Sequence, residues 1–400
     1  MFLLSQFKTA GVLEFKGGGK FYSQNWPLIL GALRNTTSLT KTISLGSSSV
    51  LITGAGNALY LSDTRLTFDA ALAQFEFNYA GSDTVNIYLG RDSVYTIQDV
   101  ELPVAVSRIY SSFKTESIFI HPASEVLLAH GIELVVDTLD ANGDCGQYIY
   151  LSSFCSENPS GDISTCPSAI PLINAADGEI TVSYFKVSYN ELSGAVIHAL
   201  NSFEFDNVSG WDIVEPAAAN VMYWIGGTGH WNDPTHWSNS SGGFSGGCIP
   251  VKGNDVVFDQ NSFNSDDTVF VDELSFCHLM DWSDIDELAM LSGTGKVFVT
   301  GSLLLHDSLD ILLDDGIELN SGTAATKNIR SDHAGIFSEI LVNTIGSYHL
   351  LDTLQSQSEI ILQRGALSIN KQGLICQRID MSGSEVRSFD YTKSEVVLMG

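Results

Sequence analysis

Basic residues are scarce: 19 Lys and Arg stand against 47 Asp and Glu, a formal net charge of −28 over 400 residues. Such a field repels phosphate backbones and anionic headgroups, which argues against nucleic acid as a partner. Long apolar runs are also missing, so no segment is built for direct membrane insertion. Six cysteines without a Cys-x-x-Cys pair are too few for a disulfide-built mini-protein and wrongly spaced for structural zinc. No Gly-x-Ser-x-Gly, P-loop or His-Glu-x-x-His motif occurs, and no Asp, Glu and His constellation recurs at a fixed spacing. The expectation is a chain that is not an enzyme and has no cofactor, Ca²⁺ apart.

What is present points to a folded all-β protein. Hydrophobic residues make up 44% and mean hydropathy is +0.12, which excludes wholesale disorder. The remaining polarity comes from Ser, Thr, Asn and 36 Gly, a mixture of strand and turn formers. The start at Met1 lacks a basic leader region, and Ser394–Gly400 stops within a strand-like run. Both ends therefore read as cuts in a longer polypeptide.

Internal repetition governs the fold reading. Ser48–Gly54 matches Ser394–Gly400 as Ser-x-Val-x-x-x-Gly at an offset of 400 − 54 = 346 residues, and Gly17–Asn25 lies over Arg364–Asn370 with a small length difference. A shorter period lies inside each large unit. Apolar triads begin at Val297, Ile317, Ile340, Ile360 and Ile379, spaced 20, 23, 20 and 19 residues apart. A second series passes through Leu303, Ile329, His349, Leu367 and Arg387. Short strands recurring at this spacing predict the rungs of a parallel β-solenoid. The later strands of the first unit, such as Ile180–Val187, are longer and alternate, which keeps tandem antiparallel β-sandwiches as the alternative. The expected organisation is solenoid over 1–130, a β-rich closing module over 131–216, a Trp-rich junction module over 221–290 and a truncated solenoid over 291–400.

The sharpest local signal is Tyr223–Ser238, where Trp224, Trp231 and Trp237 are separated by glycines and an Asp233-Pro234 turn. Spaced indoles among turn residues read as a small buried core, with exposed sugar-stacking indoles as the functional alternative. His230 and His236 lack further His or Cys at ligand spacing, which disfavours zinc.

Tyr223-Trp224-Ile225-Gly226-Gly227 through Trp231-x-x-Pro234-x-x-Trp237-Ser238, with Cys248-x-Pro250, Asp255–Asp259 and Cys277-x-x-Met280-Asp281-Trp282, resembles the repeat units of very large gliding-motility adhesins of Bacteroidota. Phe203–Trp211 is similar to the closing motif of such a unit. The resemblance covers most of the chain as one repeat and a half. It implies a modular filament at the cell surface, exported by the type IX secretion system, with no catalytic residues to carry over. It also implies partners: external surfaces or polysaccharides, and the outer-membrane gliding and secretion machinery, reached through parts of the parent chain outside this window.

In the oxidising exterior that this implies, Cys248 and Cys277 are the preferred bridge, closing 277 − 248 = 29 residues and contributing about 3–4 kcal/mol. One pair is expected among Cys145, Cys155 and Cys166, with the partners open, and Cys376 is expected to be a buried free thiol.

Weak calcium candidates are Asp140, Asn142 and Asp144, which open like a calcium loop but lack its sixth-position Gly and its final Glu, and Asp266 with Asp267 in a segment shared with Asp255, Asp259 and Asp272. A solvated acidic face is the competing reading. Asn-x-Ser/Thr occurs at Asn35, Asn207 and Asn239. Asp-Ser/Thr-aliphatic tripeptides, which resemble the O-glycosylation site of exported Bacteroidota proteins, place candidates at Thr84, Ser93, Thr138, Thr268, Ser308 and Thr353. Asp before a β-branched residue also simply starts strands. The sequence thus leads to a non-enzymatic segment of a cell-surface filament, with an extracellular carbohydrate-binding or polysaccharide-degrading β-helix as the alternative.

Overall fold

The computed structural model describes all residues except 62–64, 91–93, 155–169, 205–207, 215–219, 247 and 400. It contains two compact units, Met1–Val214 and Glu215–Gly400. Both are parallel β-solenoids. Among the described residues no helix is long and apolar enough to cross a membrane.

In the first unit, one ladder runs from Phe7–Lys8 through Leu28–Leu30, Ser49–Ile52, Leu66–Phe77, Tyr95–Leu102, Phe113–Ile120, Glu133–Ala141 and Leu172–Ser183 to Asn190–Leu200. A second runs from Val12–Glu14 through Ala32–Asn35, Gly56–Leu61, Val85–Tyr88, Val106–Ile109, Glu125–Ala129 and Ile149–Phe154 to Phe185–Val187. Every pairing along both is parallel. The long alternating strands that kept antiparallel sandwiches in view belong to these ladders: Leu172–Ser183 lies parallel to both neighbours. Alternation reports burial on one face, and a solenoid wall buries only its inner face whatever the strand direction. The described strands from Glu133–Ala141 to Trp211–Val214 continue the rungs before them.

In the second unit, Val297 pairs with Ile317, Ile317 with Ile340, Ile340 with Ile360, and Ile360 with Ile379. Ile317, Ile340 and Ile360 are each 1% exposed, so the apolar triads form the inward column that their spacing predicts. The second series holds only at Leu303 and Ile329. Beyond them Ile329 pairs with Leu350, Tyr348 with Leu367, and Gly365 with Arg387. Tyr348 and Leu350 point inward at 0% exposure and His349 between them does not. A one-residue slip reverses side-chain parity, and no apolar count over uneven loops resolves that. The Trp-rich stretch opens this unit on the same ladder, with Val221–Trp224 parallel to Asp255–Asp259 and that strand parallel to Met280–Asp284. Among pairings of described strands, only Val221–Trp224 with Trp237–Ser238 is antiparallel.

The offset of about 346 residues proves to be a repeat of hydrogen-bonding register. Phe2 opposite Tyr22, Phe7 opposite Leu28 and Val12 opposite Ala32 reappear as His349 opposite Ser368, Leu354 opposite Leu374 and Glu359 opposite Arg378. Gly19 opposite Lys41 and Leu28 opposite Val50 reappear as Gly365 opposite Arg387 and Leu374 opposite Val396. The single-residue length difference falls between Glu14 and Gly19. Left-handed backbone repeats as well, at Gln24 (φ 60°) and Asn25 (φ 62°) and again at Asn370 (φ 55°) and Lys371 (φ 67°). A cation occupies the same place in both copies. The Lys41 ammonium donates to Asn35 Oδ1 at 2.5 Å, Thr37 O at 3.0 Å and Phe15 O at 3.3 Å. Arg387 donates from Nη1 to Met381 O at 2.8 Å, to Ser382 O and to Leu362 O at 3.3 Å, Leu362 being the counterpart of Phe15.

Candidate functional sites

Three regions of the sequence invite a functional reading: the Trp-rich junction, the cysteines and the carboxylates. At the junction, Asp233 caps the short 3-10 turn Pro234–His236 by accepting from Thr235 N at 2.9 Å and Thr235 Oγ1 at 2.7 Å. These bonds, from the Thr235 side chain first and its backbone second, hold the Asp233 carboxyl below its ordinary pKa. The turn folds the chain back so that Trp231 and Trp237 meet edge to face with ring centroids 5.1 Å apart, and Trp224 meets Trp237 at 5.1 Å. All three indoles are 0% exposed. Trp224 Nε1 donates to Gly227 O at 2.8 Å and Trp237 Nε1 to Trp231 O at 2.7 Å, so burial leaves these N–H groups bonded. His236 stacks on Trp224 at 4.7 Å and donates from Nδ1 to Ile225 O at 2.8 Å. No face of these three indoles is open to a sugar ring. The sequence reading did not place Phe258 and Trp282 in this cluster; they stack at 3.6 Å, and an apolar residue two positions after Val256 on an alternating strand was the available signal.

The expected Cys248–Cys277 bridge does not form. Cys248 is disulfide-bonded, and so is Cys145, but Cys277 is a free thiol at 0% exposure. It points inward from Ser275–Cys277, where burial and then the nearby Asp255 push its pKa well up. Strand parity, which spacing in the chain does not reveal, turns this sulfur into the core. Cys376 is the buried free thiol expected. Cys155 and Cys166 lie outside the described residues.

The calcium candidates separate into two settings. Asp267 is committed to structure: its carboxylate accepts from Thr228 N at 3.0 Å, Thr228 Oγ1 at 2.7 Å and Asn264 N at 3.1 Å. Burial opposes its ionisation, and these hydrogen bonds outweigh burial and hold its pKa below the ordinary value. Asp266 is exposed beside it. Asp255 is taken by His278 Nδ1 at 2.7 Å, and Asp272 by His230 Nδ1 at 2.6 Å.

Asp140 and Asn142 lie elsewhere, in a groove made by a register break. Glu133–Val136 pairs with Leu172–Ala175, and contact resumes at Asn142 opposite Ser183. Five residues, 137–141, thus face seven, 176–182, and the ladder opens between them. The opening is a groove of about 430 Å³ lined by Asp137, Thr138, Asp140, Asn142, Glu179 and Thr181 among others. Among the described residues its lining holds three carboxylates, Asp137, Asp140 and Glu179, and no cation. Asn142 Nδ2 lies 3.4 Å from Asp140 Oδ1, whereas Asp144 turns to accept from Cys145 N at 2.7 Å. Among the described residues no group of three or more His, Cys, Asp and Glu is placed to hold a metal ion. Sequence reasoning missed the groove and Glu179; the signal was Asp177-Gly178 inside a strand pattern, a common mark of a bulge.

Of the glycosylation candidates, Thr138 is exposed, while Thr84, Thr268, Ser308 and Thr353 are half-buried at strand entries. Ser93 and the sequon at Asn207 lie outside the described residues. Asn239 is exposed, and Asn35 is buried on Lys41.

No protein-family model matches the chain, and neither does any curated protein or solved structure.

Proposed function

We propose that this chain is a non-enzymatic structural segment of a long, repetitive cell-surface adhesin filament that serves attachment and gliding motility. The observation that carries the reading is repetition in register: the rungs of Phe2–Ile52 recur at His349–Leu398 with the same residue pairs and the same cation clamp. Each parallel rung adds about 4.8 Å, so repetition converts chain length into reach. The half-cystines Cys145 and Cys248 fit an oxidising exterior, and a net charge of −28 keeps neighbouring filaments apart. Antibody raised to the folded chain should label intact producing cells, and masking the chain with its Fab should reduce their attachment. Labelling only after lysis overturns the reading.

The acidic groove favours a second reading, a polysaccharide-binding or polysaccharide-degrading solenoid, because carboxylates facing one another across a groove are what glycosidic hydrolysis uses. A screen of purified chain against polysaccharides decides between them. Depolymerisation lost in Glu179→Gln would replace the structural reading with this one.

A further inference from the structure

Two tyrosines stack on the outer surface of the first unit. Tyr60, in Gly56–Leu61, lies opposite Tyr88, in the parallel strand Val85–Tyr88 of the next rung. Leu59 and Leu61 beside the one, and Ile87 and Leu89 beside the other, are 2% exposed or less. Alternation therefore turns both phenols outward, where each is half-buried. The rings stack with centroids 5.0 Å apart and planes 28° from parallel. Parallel strands in register send the two side chains out in the same direction, side by side.

Their neighbours are engaged elsewhere. Arg34, opposite Tyr60 on its other side, donates from Nε to Asn57 O at 2.7 Å. Tyr110, in the rung after Tyr88, meets Phe154 edge to face at 4.9 Å. Among the described residues the other tyrosine pair in ring contact is Tyr148 with Tyr184, at 5.7 Å and 69°. Tyr148 is 4% exposed, and burial pushes its pKa up. One-electron oxidation of a phenol releases its proton, and a phenol enclosed in this way has little water to take it. Tyr60 with Tyr88 is the pair that is both stacked and open to solvent.

We propose that Tyr60 and Tyr88 are an oxidative cross-linking site, joined as dityrosine by a peroxidase-type catalyst with hydrogen peroxide as the oxidant. Each phenol loses one electron to the catalyst and its hydroxyl proton to water. Those two electrons, with two protons, reduce one hydrogen peroxide to two waters. The unpaired electron of each phenoxyl is shared with the carbons ortho to its oxygen. One ortho carbon of each ring forms the new carbon–carbon bond, and the hydrogen that each carried moves to the phenolic oxygen, which restores both aromatic rings. Radicals held in contact couple before either meets a second chain. The bond closes 88 − 60 = 28 residues and adds a covalent staple between rungs otherwise held by hydrogen bonds and packing. The site does not rest on the adhesin reading and survives its failure.

Purified Met1–Gly400, treated in dilute solution with peroxidase and hydrogen peroxide, tests the proposal. The monomer recovered by gel filtration should gain dityrosine fluorescence. Its digest should yield a joined pair of peptides, one with Tyr60 and one with Tyr88, lighter by two hydrogens than the sum of its parts. Tyr60→Phe and Tyr88→Phe, each with an unchanged circular dichroism spectrum, should return the monomer's fluorescence to the untreated level, whereas Tyr110→Phe should keep it. Dityrosine confined to covalent dimers overturns the proposal. So does a monomer cross-link that maps to another pair, or a wild-type chain left unmodified in a mixture that couples free tyrosine.

Discussion

Trp237 donates its indole N–H to the carbonyl oxygen of Trp231 at 2.7 Å while the two rings meet edge to face, so one residue both fills the junction core and ties off its turn. Replacing Trp231 by Ala removes a fully buried large aromatic, a loss of about 3–5 kcal/mol. The variant should become protease-sensitive between residues 221 and 290, read by mass spectrometry of limited digests. If Trp231→Ala stays resistant but loses attachment to polysaccharide, the junction is an adhesive site instead of a core.

Ile340 sits between Ile317 and Ile360 in the inward column. Ile340→Ala should cost about 2–5 kcal/mol. Leu341→Ala, one residue along and half-buried on the outer face, should cost much less. Urea unfolding midpoints of the two variants measure the contrast, and equal losses would contradict the inward assignment.

Lys41→Met strands the acceptors that its ammonium satisfies and should destabilise the first unit by about 1–3 kcal/mol. Lys41→Arg should retain more of the stability, because Arg387 fills the equivalent place in the repeated rung. Thermal unfolding of the two variants should rank them in that order.

The thiols should separate into two classes. Cys277 and Cys376 are free and buried, so each should take up an alkylating reagent in denaturant without reductant and resist it in the native chain. Cys145 and Cys248 should react only after reduction. Peptide mapping that recovers Cys248 joined to Cys277 would reverse the assignment.

Asp233 and Asp267 both have folded-state pKa values below their unfolded ones, so their stabilising contribution is complete above the unfolded value of about 3.9 and is lost as pH falls through the lower folded values. Both are largely solvated, which keeps the effect modest. Protease resistance of the 221–290 stretch should therefore weaken with acid below about pH 4, and in Asp233→Ala it should be weaker at neutral pH and fall less steeply.

The parallel rungs, the Ile317, Ile340 and Ile360 column, the buried junction indoles and the repeat of large units were legible in the sequence. Each depends on local periodicity or on residues close along the chain, where apolar spacing and turn chemistry act directly. The thiol state of Cys277, the outward turn of His349 and the groove that brings Glu179 to Asp140 were not. Those depend on register between strands set by loops of unequal length. A shift of one residue in that register moves a side chain from core to solvent, and two unmatched residues open a ladder into a groove. Sequence periodicity determined that rungs would stack; only the stacked structure decided which side chains meet across them.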